Sequence, residues 1–342
     1  MRPARRAGEK AFPYSIIRAG KRKRPGRQGK FFLPDEGKMA ECKEAPVRMR
    51  PGSAEVDMKI LVTGVKGQLG HDVVKELEGR GIEAIGVDIE EMDITDAASV
   101  EKVIKETAPD AVIHCAAYTA VDAAEENEEL CRKVNADGPR YIANVCKELD
   151  IRMLQVSTDY VFSGEGERFW EPEDEGDPRS VYGRTKYEGE LEVREILEKY
   201  FIVRIAWVFG VNGKNFVKTM LNLAKTHDTI RVVNDQFGSP TYTFDLARLL
   251  ADMILTEKYG VYHATNEGTC SWYEFACSIF REAGVSVNVV PVTTEEYGAK
   301  AKRPANSRMN NDKLTENGFR KLPAWQDALA RYVAVLKEQD EA

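Results

Sequence analysis

From position 58 onward the chain alternates two kinds of apolar pattern. Short apolar runs of strand length occur at Met58–Thr63, Ile82–Val87, Ala111–Cys115, Met153–Ser157 and Phe201–Ala206. Between them, Leu69–Arg80, Ala98–Thr107 and Pro139–Leu149 carry the spacing of helices with one buried face. Repeated β-α-β-α predicts an α/β fold built on a doubly wound parallel sheet, with right-handed crossovers and helices on both faces. After about Gly210 the rhythm loosens and turn residues become frequent. That stretch reads as a smaller C-terminal lobe that completes a substrate cleft, with some of its helices still packed on the sheet.

Residues 1–57 have no sustained periodicity and contain the basic run Lys21-Arg22-Lys23-Arg24-Pro25. Such a segment buries too little apolar surface to offset its ordering entropy. It is expected to be a disordered basic extension outside the fold, which then occupies 58–342. A methionine opening the first strand favours a start at Met58, with the preceding residues a product of upstream translation or cloning. A basic targeting peptide and a nucleic-acid tail are the rival readings.

Composition narrows the function classes. With 43% apolar residues in 342, a large core is affordable. The net charge of −7 argues against bulk nucleic-acid binding, which needs a basic face. No apolar window long enough for a membrane span appears. The six cysteines form no C-x-x-C pair and the four histidines do not cluster, so we expect reduced thiols in a cytoplasmic protein and no metal site.

The chemistry gathers at three places. Gly64-Val65-Lys66-Gly67-Gln68-Leu69-Gly70 follows the first strand and opens a helix. Glycines there permit a tight turn and close approach of backbone to a pyrophosphate, and the helix N-terminus offers free N–H groups. This makes the sheet a Rossmann sheet in expectation, with Gly64, Gly67, Gln68 and Leu69 on the cofactor. Asp88 ends the second strand, where a carboxylate can bind ribose hydroxyls and disfavour a 2′-phosphate. Asp93, beside Ile94, is placed to reach the adenine amino group, while Asp96 is assigned to capping the next helix. Finally, Tyr182-Gly183-Arg184-Thr185-Lys186 puts Tyr182 and Lys186 on one helical face. The lysine would lower the phenol's pKa and grip a ribose, and Thr158, at a strand end, would polarise the same carbonyl that Tyr182 protonates.

At this point the residues resemble the extended short-chain dehydrogenase/reductase group and, within it, the dTDP-4-dehydrorhamnose reductase family. Gly67-Gln68-Leu69-Gly70, Ala116–Asp122, Ser157-Thr158-Asp159-Tyr160-Val161-Phe162, Ala206–Gly210, Asp235–Thr241 and Arg303–Ser307 carry the likeness, which spans Met58 to about Lys337. It implies reduction of dTDP-4-dehydro-6-deoxy-L-mannose with NADPH or NADH. It also implies Ala116, Ala117 and Tyr118 flanking the cofactor, and Asp159, Trp207 and Arg303 on the dTDP-sugar. Some members of the family are magnesium-dependent dimers, which extends the implication to Mg2+ and a homodimer; no ligand set in the sequence decides either. Trp207 as core, Arg303 as surface charge, and Asp235 and Gln236 as loop-shaping residues remain the plain alternatives.

Two rival functions stay open. One is another nucleotide-sugar enzyme of this fold; a 4,6-dehydratase is disfavoured because Tyr160 stands where its glutamate is expected. The other is a non-catalytic dinucleotide-binding subunit similar to the methionine adenosyltransferase β subunit, which the intact Thr158, Tyr182 and Lys186 set opposes.

Overall fold

The computed structural model describes residues 17–20 and 58–341. Six strands make the central sheet: β1 (Lys59–Thr63), β2 (Glu83–Val87), β3 (Ala111–His114), β4 (Arg152–Thr158), β5 (Tyr200–Ile205) and β6 (Gly260–His263). Five of the helices cover it: α1 (Gln68–Gly79), α2 (Ala97–Thr107), α3 (Gly138–Glu148), α4 (Val181–Ile196) and α5 (Thr243–Ile254). The spatial order is β6-β5-β4-β3-β1-β2 and every neighbouring pair is parallel.

Side chains of β1 alternate between two cores. Ile60 and Val62 pack with α1 and α5, while Leu61 packs with α2, α3 and α4. All three are fully buried, which is why a doubly covered strand reads as a continuous apolar run. Asp96 caps α2 as expected, accepting the Ala98 N–H at 3.0 Å. The chain leaves β1 toward β2 on one side and returns as β3 on the other. Sheets of this kind hold ligands in the crevice at the carboxyl ends of the strands where the order reverses.

A separate apolar core gathers residues that follow Trp207, among them Phe209, Phe216, Met220, Phe275 and Tyr332. Over it lies a three-stranded sheet of Ile17–Gly20, Thr229–Val233 and Asn288–Val292. The first of these strands corrects an expectation: residues 17–20 do not stand outside the fold, but pair antiparallel with Thr229–Val233. The physical reason is that Asn288–Val292 covers only one edge of Thr229–Val233. The other edge presents unpaired main-chain groups that any extended tetrapeptide can satisfy, so side-chain periodicity carries no signal of it. The basic run and the rest of residues 1–57 lie outside the described residues.

Among the described residues no helix is long and apolar enough to cross a membrane. The five described cysteines are all free thiols.

Candidate active site

The loop between β1 and α1 is shaped by what its glycines avoid. Gly64 has φ +70°, and a Cβ there would lie 2.8 Å from the Ala116 backbone. A Cβ at Gly70 would strike the Gly64 carbonyl. The Gly64 N–H is held by the Val87 carbonyl at 2.9 Å, and the Gly67 N–H by Gly64 at 3.0 Å. The α1 N-terminus has no acidic residue in its first turn and no side-chain cap, and its first residues, Gln68 to Gly70, line the cavity, the arrangement that suits an anion. Thr63 Oγ1 accepts the Ala116 N–H at 3.1 Å and pairs with His114 Nδ1 at 2.8 Å, tying the loop after β3 to the end of β1.

These elements open on a cavity of about 700 Å³. Of the residues expected to bind cofactor, Gly64, Gly67, Gln68, Leu69, Asp88, Ala116, Ala117, Tyr182 and Lys186 line it. Asp88 receives the Lys66 N–H at 3.0 Å and the Ile89 N–H at 2.9 Å, so backbone fixes its carboxylate at the loop. Asp93, Ile94 and Tyr118 are not among its lining residues. Asp93 folds its carboxylate back onto Thr95, accepting from its N–H at 2.9 Å and its hydroxyl at 2.7 Å. Ile94 is buried in the core, where it meets Gly138. Tyr118 packs with Val181 and Ala124, its N–H and carbonyl both bound by the Asn135 amide.

The residues expected to react converge from two elements. Tyr182 and Lys186 come from α4, whose first turn is set by Ser180 accepting the Gly183 N–H at 3.1 Å. Thr158 and Asp159 come from the end of β4. Burial pushes the Tyr182 phenol up, and the Thr158 hydrogen bond is what lowers it. The Lys186 ammonium donates to the Val156 carbonyl at 2.7 Å. Burial brings Lys186 down to about 8. The Thr158 hydroxyl is shared between Tyr182 and Asp159 Oδ1, the latter 3.0 Å away, and Asp159 Oδ2 takes the Ser307 hydroxyl at 2.5 Å. Asp159 is thus occupied by protein partners, and burial raises it to about 6.

The far wall belongs to the second lobe. Trp207, at φ +51°, stacks on Trp272 with ring centroids 3.7 Å apart, and both line the cavity with Phe216 and Phe275. A left-handed backbone at a bulky residue is strained and points to function. Sequence reading found Trp207 and missed Trp272; its only signal was the N-cap serine before an aromatic-rich helix. Arg303 lines the same cavity, and its guanidinium grips Asp122 with Nη1 at 3.1 Å and Nη2 at 3.0 Å. Asp235 and Gln236 shape a loop: both bind Thr294, through its N–H and hydroxyl for Asp235 and its hydroxyl for Gln236. No group of three or more His, Cys, Asp or Glu side chains is placed to hold a metal among the described residues.

Residues 58–338 match the family described as RmlD substrate binding domain. The spore coat polysaccharide biosynthesis protein SpsK of Bacillus subtilis is 40% identical over 275 residues, covering 80% of this chain and 96% of the relative. A dTDP-4-dehydrorhamnose reductase from Clostridium acetobutylicum superposes with a TM-score of 0.80 at 46% identity, over 82% of this chain and all of that one. The same enzyme from Bacillus anthracis, solved in complex with NADP, gives 0.80 at 42% identity with the same coverage.

Proposed function

The chain belongs to the RmlD substrate-binding family, and from that membership and the site we propose that it reduces the C4 keto group of dTDP-4-dehydro-6-deoxy-L-mannose to dTDP-L-rhamnose with NADPH or NADH. The observation that carries the reading is the convergence of a glycine-lined helix N-terminus with Thr158, Tyr182 and Lys186 on one cavity.

The cradle fits a dinucleotide. Gly64 and Gly70 let the loop pack closely against the Ala116 backbone and the Gly64 carbonyl, where a Cβ would collide, and the uncapped N-terminus of α1, with no acidic residue in its first turn, suits a pyrophosphate in charge. When bound, the reduced nicotinamide supplies hydride to C4. Asp88 stands where ribose hydroxyls would be held, and Lys66 beside it supplies positive charge for a 2′-phosphate. Tyr182 is kept protonated by its burial, which suits a proton donor: it gives its phenolic proton to the C4 oxygen as negative charge develops there. Lys186 holds positive charge below the phenol and is placed to grip the nicotinamide ribose. Thr158 can turn its proton toward the C4 oxygen once Asp159 carries one of its own. The Trp207 and Trp272 pair offers an apolar face to a deoxysugar ring.

The test is cofactor oxidation, followed by absorbance, with dTDP-4-dehydrorhamnose and each reduced cofactor in turn. Turnover to dTDP-L-rhamnose supports the reading. Tight dinucleotide binding without turnover would instead favour a regulatory subunit.

A further inference from the structure

Beneath the cavity lies a charge pair that the proposed chemistry does not use. Glu190 and Arg204 are both essentially inaccessible to solvent. Arg204 Nη2 binds Glu190 Oε2 at 2.6 Å and its Nε binds Oε1 at 3.0 Å. Glu190 Oε1 also receives the Ser157 hydroxyl at 2.5 Å. Arg204 spends its remaining Nη on the Pro172 carbonyl at 3.2 Å and lies 4.9 Å over the Phe162 ring. A buried pair of this kind is weak evidence for stability, because desolvation offsets most of the attraction. Its placement calls for another reason.

That reason is Lys186. Glu190 follows it by four residues on α4, so the two side chains share one face. Ser157, which Glu190 binds, sits between Val156, whose carbonyl receives the Lys186 ammonium, and Thr158. We infer that Glu190 is a positioning residue for Lys186: held by Arg204 and Ser157, its carboxylate keeps the lysine ammonium charged and fixes the strand end on which Lys186 and Thr158 depend. Lys186 is buried, and burial weakens its hold on the proton; Glu190 acts against this. The other groups facing Lys186 are His114 and Cys115 from the end of β3, Cys131 from the helix Glu128–Arg132, and Tyr182 one turn away. Burial holds the two thiols protonated and the imidazole neutral, so Glu190 is the one anion near the ammonium within this set. The role given to Lys186 rests on the proposed function; the charge on Lys186 does not.

The experiment is a carbon-13 NMR titration of lysine side chains in the full chain, with the Lys186 signal assigned by its disappearance in Lys186→Arg. Wild-type Lys186 titrates near 8. Glu190→Gln moves that titration down by about 1–3 pH units, the span expected for losing a close opposite charge. Arg204→Met leaves the carboxylate to Lys186 and moves it up. If Glu190→Gln does not fold because Arg204 is left unpaired, the double variant Glu190→Gln/Arg204→Met has no orphaned cation and titrates below Arg204→Met. An unchanged titration without the carboxylate, or movement of Glu190→Gln and Arg204→Met in the same direction, overturns the inference. Because no turnover is needed, a failed cofactor-oxidation assay would sink the proposed reaction without touching this result.

Discussion

Trp207 lies face to face with Trp272, 3.7 Å between ring centroids and 14° from parallel, although the two belong to different parts of the chain. Behind Trp207, a Cβ at Gly238 would come within 2.8 Å of its ring. The indole is therefore clamped in a strained backbone conformation while part of it stays open to the cavity.

Trp207→Ala is accordingly expected to raise KM for the sugar nucleotide and leave dinucleotide affinity nearly unchanged. Steady-state kinetics together with a cofactor-binding titration check this. A loss of about 3–5 kcal/mol in folding stability, as for emptying a core site, would assign Trp207 to packing instead.

Both cofactors should support turnover. Asp88 offers a carboxylate to ribose hydroxyls, and Lys66 can exchange its exposed ion pair with Glu90, 2.5 Å away, for a 2′-phosphate. The kcat/KM values for NADH and NADPH are expected within about tenfold of each other, the size of one modest polar contact. A hundredfold preference for NADPH would mean that Asp88 does not meet the ribose.

Acid should weaken the fold through its buried histidines. Burial lowers His114 to about 3 and holds His263 well below its ordinary value. A depressed folded-state pKa gives stability that is present above about 6.5 and is lost as pH falls toward the folded value. Asp159 works the other way: its folded value is raised to about 6, so its contribution is present below about 4 and lost as pH rises through 6. Urea unfolding at several pH values between 7 and 4, about the span of these titrations, should show declining stability, with a shallower decline in His114→Gln/His263→Gln. Identical slopes for that variant and wild type would refute the assignment.

A chain beginning at Met58 should retain its activity, because no residue before that position lines the cavity among those described. It loses the strand Ile17–Gly20 from the edge of Thr229–Val233, so its melting temperature tests how much that pairing adds. Loss of both turnover and folding would show that the preceding segment is integral to the domain.

What could be read from the sequence follows from how local each signal is. The β1-loop-α1 unit is legible because Gly64, Gly67 and Gly70 answer constraints within a few residues. The pairing of Tyr182 with Lys186 is legible because four residues make one helical turn. By contrast, the Arg303 grip on Asp122 and the Trp207 stack on Trp272 depend on elements far apart in the chain. The contacts of the Asp159 carboxylate with Thr158 and Ser307 have the same character: the adjacency of Thr158 is visible, but only burial and Ser307 decide that the carboxylate turns inward. Nothing in the string shows that the Asp93 carboxylate folds back onto Thr95, because a turn-closing aspartate and a solvent-facing one look alike in sequence.

The most direct measurement is turnover of dTDP-4-dehydrorhamnose by wild type and Tyr182→Phe, with dinucleotide affinity measured in parallel. Phenylalanine removes the proton donor and leaves the glycine loop intact. The account predicts that kcat drops by about 10²–10⁴-fold, the usual contribution of a general acid, while the dinucleotide still binds. Near-normal kcat in Tyr182→Phe would contradict it.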